Sequence, residues 1–313
     1  MTRVCRACLG DLREPGEYHA RCVRRLFGST KVPRLDIELA KLHTAALAMV
    51  GRTSLSGVQK KLSVNLSTDR EMLQVAAGKG RYILKVQSDS YPALPENEHL
   101  TTRLAQLVEI QVAPFGLVPL REGSLAYVVR RFDRLPDGRK LRQEDFCQLA
   151  GLSPKEKYDS TAERCVKLVQ QYASEPLITT LELYRLLVFT WWSGNGDMHL
   201  KNFSLLTDDQ WIIRLTPAYD LLCTQLVIPE DPLALPVCGK RDNLDRDTWL
   251  QLAKYAGLSE KAASRVLDRQ SAVAAEAASF IDRSFLPAEM KMQYGHLIEE
   301  RTKRLGSSTD RAV

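Results

Sequence analysis

The chain has 313 residues, 26% of them charged and 44% hydrophobic, an ordinary balance for a globular protein and enough length for two lobes or two domains. Lys and Arg number 44 against 38 Asp and Glu; the formal +6 suits a nucleotide-binding cleft but is too mild and too evenly spread to argue for nucleic acid. No run approaches the ~20 apolar residues of a membrane span, the first residues carry no signal-peptide core, and seven scattered cysteines do not form a disulfide framework, so a cytoplasmic location without membrane contact is expected.

The first 30 residues stand apart. Cys5-Arg-Ala-Cys8 is followed by His19-Ala-Arg-Cys22, with Gly10, Pro15 and Gly16 between them. Two pairs of soft ligands across a turn-rich loop fit a zinc knuckle, with Cys5, Cys8, His19 and Cys22 as its ligands. The same residues read equally well as three buried cysteines beside an incidental histidine. Leu35, Leu39, Leu42, Ala46 and Val50 then recur at helical spacing and predict a helix over 35–50. Next comes Gly51-Arg-Thr-Ser-Leu-Ser-Gly57-Val-Gln-Lys-Lys61, a small, hydroxyl-rich loop leading into a strand over 62–66. Such a loop can lay backbone N–H groups against phosphates. It matches neither G-x-G-x-x-G nor a Walker A sequence, and an ordinary turn explains it as well.

Strands are expected over 72–76, 81–86, 117–120 and 126–131, with a helix over 96–111. Lys85 stands in Tyr82-Ile-Leu-Lys-Val86, on an otherwise apolar strand. A strand lysine followed by a helical glutamate is how kinases hold the α- and β-phosphates, and Glu98 is the candidate partner, with Glu96 second. The plainer reading makes Lys85 a solvent-facing residue of an edge strand. Pro136-Asp-Gly138 is a turn that could serve as an inter-lobe hinge, and Arg142-Gln-Glu-Asp145 opens the second half.

Helices are expected over 160–172, 247–256, 260–280 and 287–304, and Leu177, Leu181, Tyr184, Val188 and Trp191 mark another that ends near Gly194. Behind that helix stands Gly194-Asn-Gly-Asp-Met-His-Leu-Lys-Asn202. Its Asp, four residues, then Asn is the spacing of a kinase catalytic loop. A hairpin over 203–215, turning at Thr207–Gln210, then leads to Asp220 in Thr216-Pro-Ala-Tyr-Asp220. Helix, loop, hairpin and second Asp is a layout that sets two metal ligands beside one base. A polar turn between a buried helix and a hairpin is the plainer alternative, and it needs none of these side chains in this order.

With those residues in place, the chain resembles the HipA family of bacterial toxin serine/threonine protein kinases. It is most similar to the shorter HipT branch, in which the HipA N-terminal subdomain is a separate small protein. The matching segments are Ser54-Leu-Ser-Gly-Val-Gln-Lys-Lys-Leu62, Tyr82-Ile-Leu-Lys85, Glu96-Asn-Glu98, Arg130-Arg-Phe-Asp-Arg134, Gln143-Glu-Asp145, Asn195–Asn202 and Pro217-Ala-Tyr-Asp220. The resemblance implies an α+β, two-lobed protein-kinase-like fold, and the small Cys/His segment stands ahead of it. Its divisions are 1–32, a strand-rich N-lobe over 33–138 and a helical C-lobe over 139–313. It implies ATP and Mg²⁺ as cofactors, Asp197 as catalytic base, and Asn202 and Asp220 as Mg²⁺ ligands. The implied nucleotide site includes Lys85, Glu98, Ser54, Leu55, Ser56, Gly57, Arg131, Phe132 and His199, with autophosphorylation at Ser54 or Ser56.

An aminoacyl-tRNA synthetase is the implied protein substrate. A HipB-like DNA-binding antitoxin and a HipS-like small protein are the implied partners, so DNA is reached only through the antitoxin. Two features depart from the family pattern. The Cys/His segment is not a general family feature, which makes Zn²⁺ a separate candidate, and Asp220 is followed by Leu221-Leu222 rather than Phe-Gly. Two other classes remain open: a small-molecule phosphotransferase of the aminoglycoside-kinase kind, which shares a Gly-Asp-x-His-x-x-Asn loop, and a non-enzymatic nucleic-acid-binding regulator.

Overall fold

The computed structural model describes residues 3–35, 61–76 and 80–306. Packing divides the chain into two units: Met1–Arg103 with Ala113–Phe132 and Phe280–Ala288, and Leu104–Val112 with Asp133–Ser279 and Glu289–Val313. The helix expected over 35–50 falls outside the described residues except for Leu35, which is buried.

In the first unit, alternating apolar residues make the strands. Leu62 and Val64 of β1 (Lys61–Leu66) and Tyr82 and Leu84 of β3 (Tyr82–Lys85) turn inward, as period-two patterning requires. With β2 (Leu73–Val75), β4 (Phe115–Pro119) and β5 (Leu125–Arg130), they form an antiparallel sheet in the order β2-β1-β3-β5-β4. The register sets Lys85 opposite Lys61 on one side and Tyr127 on the other.

Both edges of this sheet are covered by non-strand chain. On β4, the Leu117 amide donates to the Arg6 carbonyl at 2.9 Å. On β2, Arg34 donates to Glu71 at 2.7 Å and accepts from Leu73 at 2.9 Å. These bonds satisfy some of the edge backbone groups that would otherwise recruit another strand. Helix α1 (Ala20–Phe27) has no expectation behind it in the sequence pattern. It places Val23, Leu26 and Phe27 in the same core as Leu62, Leu84, Val118 and Val128. Helix α2 (Leu94–Leu107) starts and stops earlier than the 96–111 reading, and Glu109 beyond its end turns to φ +62°.

The second unit contains an antiparallel sheet of β6 (Arg142–Asp145), β7 (Ser204–Thr207) and β8 (Ile213–Leu215). The expected hairpin is therefore two strands of a three-stranded sheet among the described residues. Asp145 then caps α3 (Phe146–Leu149) through a capping box with Gln148. Helix α4 (Ala162–Tyr172) is capped by Thr161, and α5 (Pro176–Trp192) begins on a proline suited to a first turn.

From Leu183 on, α5 is buried almost all round, but Leu177 is 64% exposed and so lies off the core. Then come α6 (Arg246–Tyr255), α7 (Glu260–Ala272), α8 (Ala274–Arg283) and α9 (Ala288–Gly306). The single helix expected over 260–280 is two, broken where Val273 leaves helical geometry at ψ 1°. The buried stripe Ala263, Val266, Leu267, Gln270, Val273 and Ala277 runs on in period through the break, so periodicity does not reveal it. No helix among the described residues is long and apolar enough to cross a membrane.

Leu84 is fully buried on the central strand, so Leu84→Ala should cost about 2–5 kcal/mol by urea unfolding. Val75→Ala, at an edge position 38% exposed, should stay within about 0.5 kcal/mol. Equal costs would show that this sheet is not the core of its unit.

Candidate active site

Helix α5 closes at Ser193, and Gly194, at φ +75°, turns the chain out of it. From Trp191 to Leu200 every residue is buried except Asp197, which is half-buried. The loop is held by its own side chains. The Asn195 amide donates to the Asp220 carbonyl at 3.2 Å, and its oxygen accepts from the Asp197 amide at 3.2 Å. Asn202 Nδ2 donates to the Asp197 carbonyl at 2.9 Å, which also accepts from the His199 amide at 2.9 Å. Asp197, Asn202 and Asp220 are thereby tied into one backbone network through Asn195.

Gly196 has no room for a side chain: a Cβ would sit 2.2 Å from Asp231 Oδ2 and 2.7 Å from the Pro232 carbonyl. Its amide donates to Thr224 Oγ1 at 2.8 Å, and the Thr224 hydroxyl reaches Asp231. Asp220 sits at φ +53°, a conformation that costs free energy for a residue with a Cβ and that aspartate tolerates better than most. The bridge from Val112 to Ala218, with the Ala218 amide donating to the Gln111 carbonyl at 2.8 Å, fixes the approach to that turn.

Several neighbours of Asp197 give no signal in the spacing pattern. Tyr158 donates to Asp197 Oδ1 at 2.6 Å and meets the His199 ring edge-on at 5.1 Å. Burial, then that hydrogen bond, push the Tyr158 hydroxyl above its ordinary range. Asp231 is also raised, chiefly by burial, with the Thr224 hydrogen bond opposing and the Asp197 charge adding. His199 is 1% exposed; burial drives its imidazole down to about 4, with Asp197 pulling the other way. It is a neutral ring at pH 7. Lys201 pairs with Asp145 at 3.0 Å, and Tyr219 donates to the Lys201 carbonyl at 2.9 Å.

In the first unit, Lys85 forms an ion pair with Glu98, their side chains only 5% and 3% exposed. The Lys85 ammonium also lies 5.8 Å from the Tyr127 ring centroid. Glu96, the second candidate, does not make that pair; burial raises its carboxyl. Arg131 and Phe132 follow β5, both half-buried, and the Arg131 amide donates to the Arg81 carbonyl at 2.9 Å. Ser54, Leu55, Ser56 and Gly57 lie outside the described residues. Cys5, Cys8, His19 and Cys22 converge, their ligand atoms all within 4.8 Å of one another.

Removing one partner of a buried ion pair leaves the other charge desolvated. Glu98→Ala should therefore cost on the order of 3 kcal/mol by chemical denaturation, while Lys85→Met with Glu98→Leu should cost less than the two single changes summed. Strict additivity would refute the pair. His199 supplies a pH test. Its folded pKa lies below the ordinary 6.5, so between about 6.5 and about 4 the unfolded chain binds a proton that the folded one refuses. Stability from this group is full above that window and falls as pH drops through it. His199→Gln should flatten the melting-temperature profile there, and an unchanged slope would count against the buried neutral ring.

Residues 53–278 match the HipA-like C-terminal domain family. Y4mE of Sinorhizobium fredii, provisionally named a kinase, is 35% identical over 218 residues, covering 66% of this chain and 51% of Y4mE. The serine/threonine-protein kinase toxin HipA of Shewanella oneidensis is 30% identical over 194 residues, covering 56% of this chain and 44% of the toxin. The chain thus spans about half the length of these relatives. A solved complex of Shewanella oneidensis HipA, HipB and operator DNA shares the fold at a TM-score of 0.69 and 24% identity, over 81% of this chain and 65% of that one. The fold is α+β and kinase-like, and the chain belongs to the HipA-like C-terminal domain family.

Proposed function

We propose that the chain is an ATP- and Mg²⁺-dependent serine/threonine protein kinase of a toxin–antitoxin system, of the short HipT-like kind. The observation that carries this reading is the single network joining Asp197, Asn202 and Asp220, with Asp197 the one half-exposed residue in a buried stretch. A turn of purely structural purpose has no use for a carboxylate held at that point. Kinase names among the relatives support it.

The donor set suits the hard cation. Asn202 commits Nδ2 to a carbonyl and so presents its amide oxygen, and Asp220 brings a carboxylate; oxygen ligands of this kind hold Mg²⁺. Bound there with ATP, the ion neutralises phosphate charge. Lys85, oriented by Glu98, binds the α/β-phosphates, with Arg131, Phe132, His199 and the Ser54–Gly57 loop as further nucleotide-binding positions. A substrate serine oxygen bonds to the γ-phosphorus as its proton passes to the Asp197 carboxylate. The bond to the β-phosphate oxygen breaks and ADP leaves. Tyr158 keeps Asp197 in place through Oδ1.

The substrate we favour is an aminoacyl-tRNA synthetase. The partners are a HipB-like antitoxin, a reading supported by the solved complex of HipA with HipB and operator DNA, and a HipS-like small protein. Autophosphorylation at Ser54 or Ser56 would limit activity, because a phosphoserine adds about −1.5 to −2 charges beside the nucleotide phosphates.

Radiolabelled ATP in a cell lysate tests the reading. Wild type should label a protein band and Asp197→Ala should not, while ATP affinity stays within about threefold because phosphoryl transfer depends on positioning more than on covalent chemistry. Asp220→Ala should weaken Mg²⁺-dependent ATP binding as well. Label in a small molecule alone would move the assignment to a small-molecule phosphotransferase, and full activity in Asp197→Ala would overturn it. Intact mass after incubation with Mg²⁺-ATP should show added phosphate that Ser54→Ala with Ser56→Ala removes.

A further inference from the structure

We propose that Cys5, Cys8, His19 and Cys22 hold one structural zinc ion, which locks the Cys5–Cys22 segment over the β4 edge of the five-stranded sheet. The proposal is independent of the kinase reading. Three sulfurs and one imidazole nitrogen within 4.8 Å of one another approach the size of a tetrahedral zinc shell. With Zn–S near 2.3 Å and Zn–N near 2.0 Å, the edges of such a tetrahedron are about 3.5–3.8 Å. Sulfur-rich, four-ligand sets select zinc over the oxygen-seeking cations, and four protein ligands leave no open position for catalysis.

The backbone is shaped for this purpose. Cys5 and Cys8 lie on a tight turn in which the Cys5 amide donates to the Gly10 carbonyl at 2.9 Å and Leu9 takes φ +56°. His19 and Cys22 lie at the start of α1, the Cys22 amide donating to the His19 carbonyl at 2.9 Å. A Cβ at Gly10 would press on His19 Cε1 at 3.2 Å and Cys8 Sγ at 3.4 Å, so the two halves of the site meet closely there.

A second observation fixes the histidine. His19 Nε2 lies 3.0 Å from the Asp11 carbonyl, which can only accept, so Nε2 carries the hydrogen. Nδ1 is then a bare lone pair, and it faces the Cys8 sulfur at 3.2 Å. A metal-bound histidine is typically oriented in this way, its second nitrogen donating to a carbonyl. The His19 amide points at the Cys5 sulfur at 3.4 Å. Loading releases the three thiol protons to solvent, since a thiolate is what binds the metal. Cys5 is fully buried, while Cys8, His19 and Cys22 are half-buried and give the ion a way in.

The consequence lies on the sheet. Arg6, inside the Cys5–Cys8 turn, accepts from Leu117 of β4, and Tyr18, next to His19, donates to the carbonyl of the same Leu117. The ligands therefore bracket the two groups that cover this edge.

The test is metal content of the full chain, purified without chelator and reduced. Wild type should carry about one equivalent of zinc, Cys8→Ser and Cys22→Ser should lose it, and His19→Cys should keep it as a four-cysteine site. Cys238→Ser, at a thiol near the Thr248 carbonyl, should change nothing. Removing zinc from wild type should lower its melting temperature, and re-addition should restore it. Should the serine variants fail to fold, cobalt loaded into wild type answers instead: intense tetrahedral thiolate bands are expected, and their absence overturns the site. Folded wild type that neither carries zinc nor takes it up at micromolar free zinc would also overturn it, as would Cys8→Ser loading like wild type or a disulfide within the set.

Discussion

A carboxylate that faces water from an otherwise buried loop imposes a strict condition: the loop backbone must find its partners without a helix or sheet to supply them. Asn195 meets that condition with both ends of its amide, and Asn202 and Thr224 do the rest. Asn195 and Asn202 bond loop backbone from within the loop, while Thr224 bonds Gly196 from beyond the hairpin and Asn195 reaches the Asp220 carbonyl, so loop and downstream chain together set the geometry around Asp197. Gly196 shows how tight the arrangement is, since even a methyl group would overlap the Asp231 carboxylate. Positioning of this kind is most of what phosphoryl transfer asks of a protein.

The charges sort into two kinds. Exposed pairs such as Arg139 with Asp137 or Lys303 with Glu299 sit in water and contribute little. The Lys85–Glu98 pair is different, because both members are almost wholly desolvated and a hydrophobic pair of like volume would serve stability as well or better. Under the proposed function, a ligand that needs a cation accounts for its presence on a central strand. Asp231 and His199 beside Asp197 show the same cost of burial, which pushes the carboxyl up and the imidazole down.

Much of this was legible in the sequence because it depends on local pattern. Period-two alternation marks β1, short apolar runs mark β3 and β5, and the Asp-to-Asn spacing followed by a hairpin and Asp220 marks the loop. What escaped depends on distant partners. Arg142–Asp145 has no apolar alternation and is a strand only because β7 pairs with it. Tyr158 reaches Asp197 from 39 residues upstream, and Thr224 and Asp231 reach Gly196 from beyond the hairpin. Leu177 fits the apolar stripe of α5 by spacing but is exposed near the helix start, where neighbouring chain does not cover it. Helix α1 was hidden by three arginines in eight residues; only Val23, Leu26 and Phe27 face the core.

The N-terminal segment solves two problems of the sheet with very little chain. Arg6 bonds one edge and Arg34 the other, so each edge is capped at one point by this segment. A piece this short cannot build a core of its own, and its apolar residues instead join that of the sheet. Burial fixes Val23, Leu26, Phe27 and Cys5 but does less for the rest of the turn, where Arg6, Ala7 and Cys8 are half-buried. A cross-link between that turn and the start of α1 is what such a segment lacks, and small folds usually supply it with a disulfide or a metal. Three cysteines and one histidine are one thiol short of two disulfides and complete for a tetrahedral ion. The composition of the site therefore favours the metal, and the histidine at its corner is the residue that distinguishes the two.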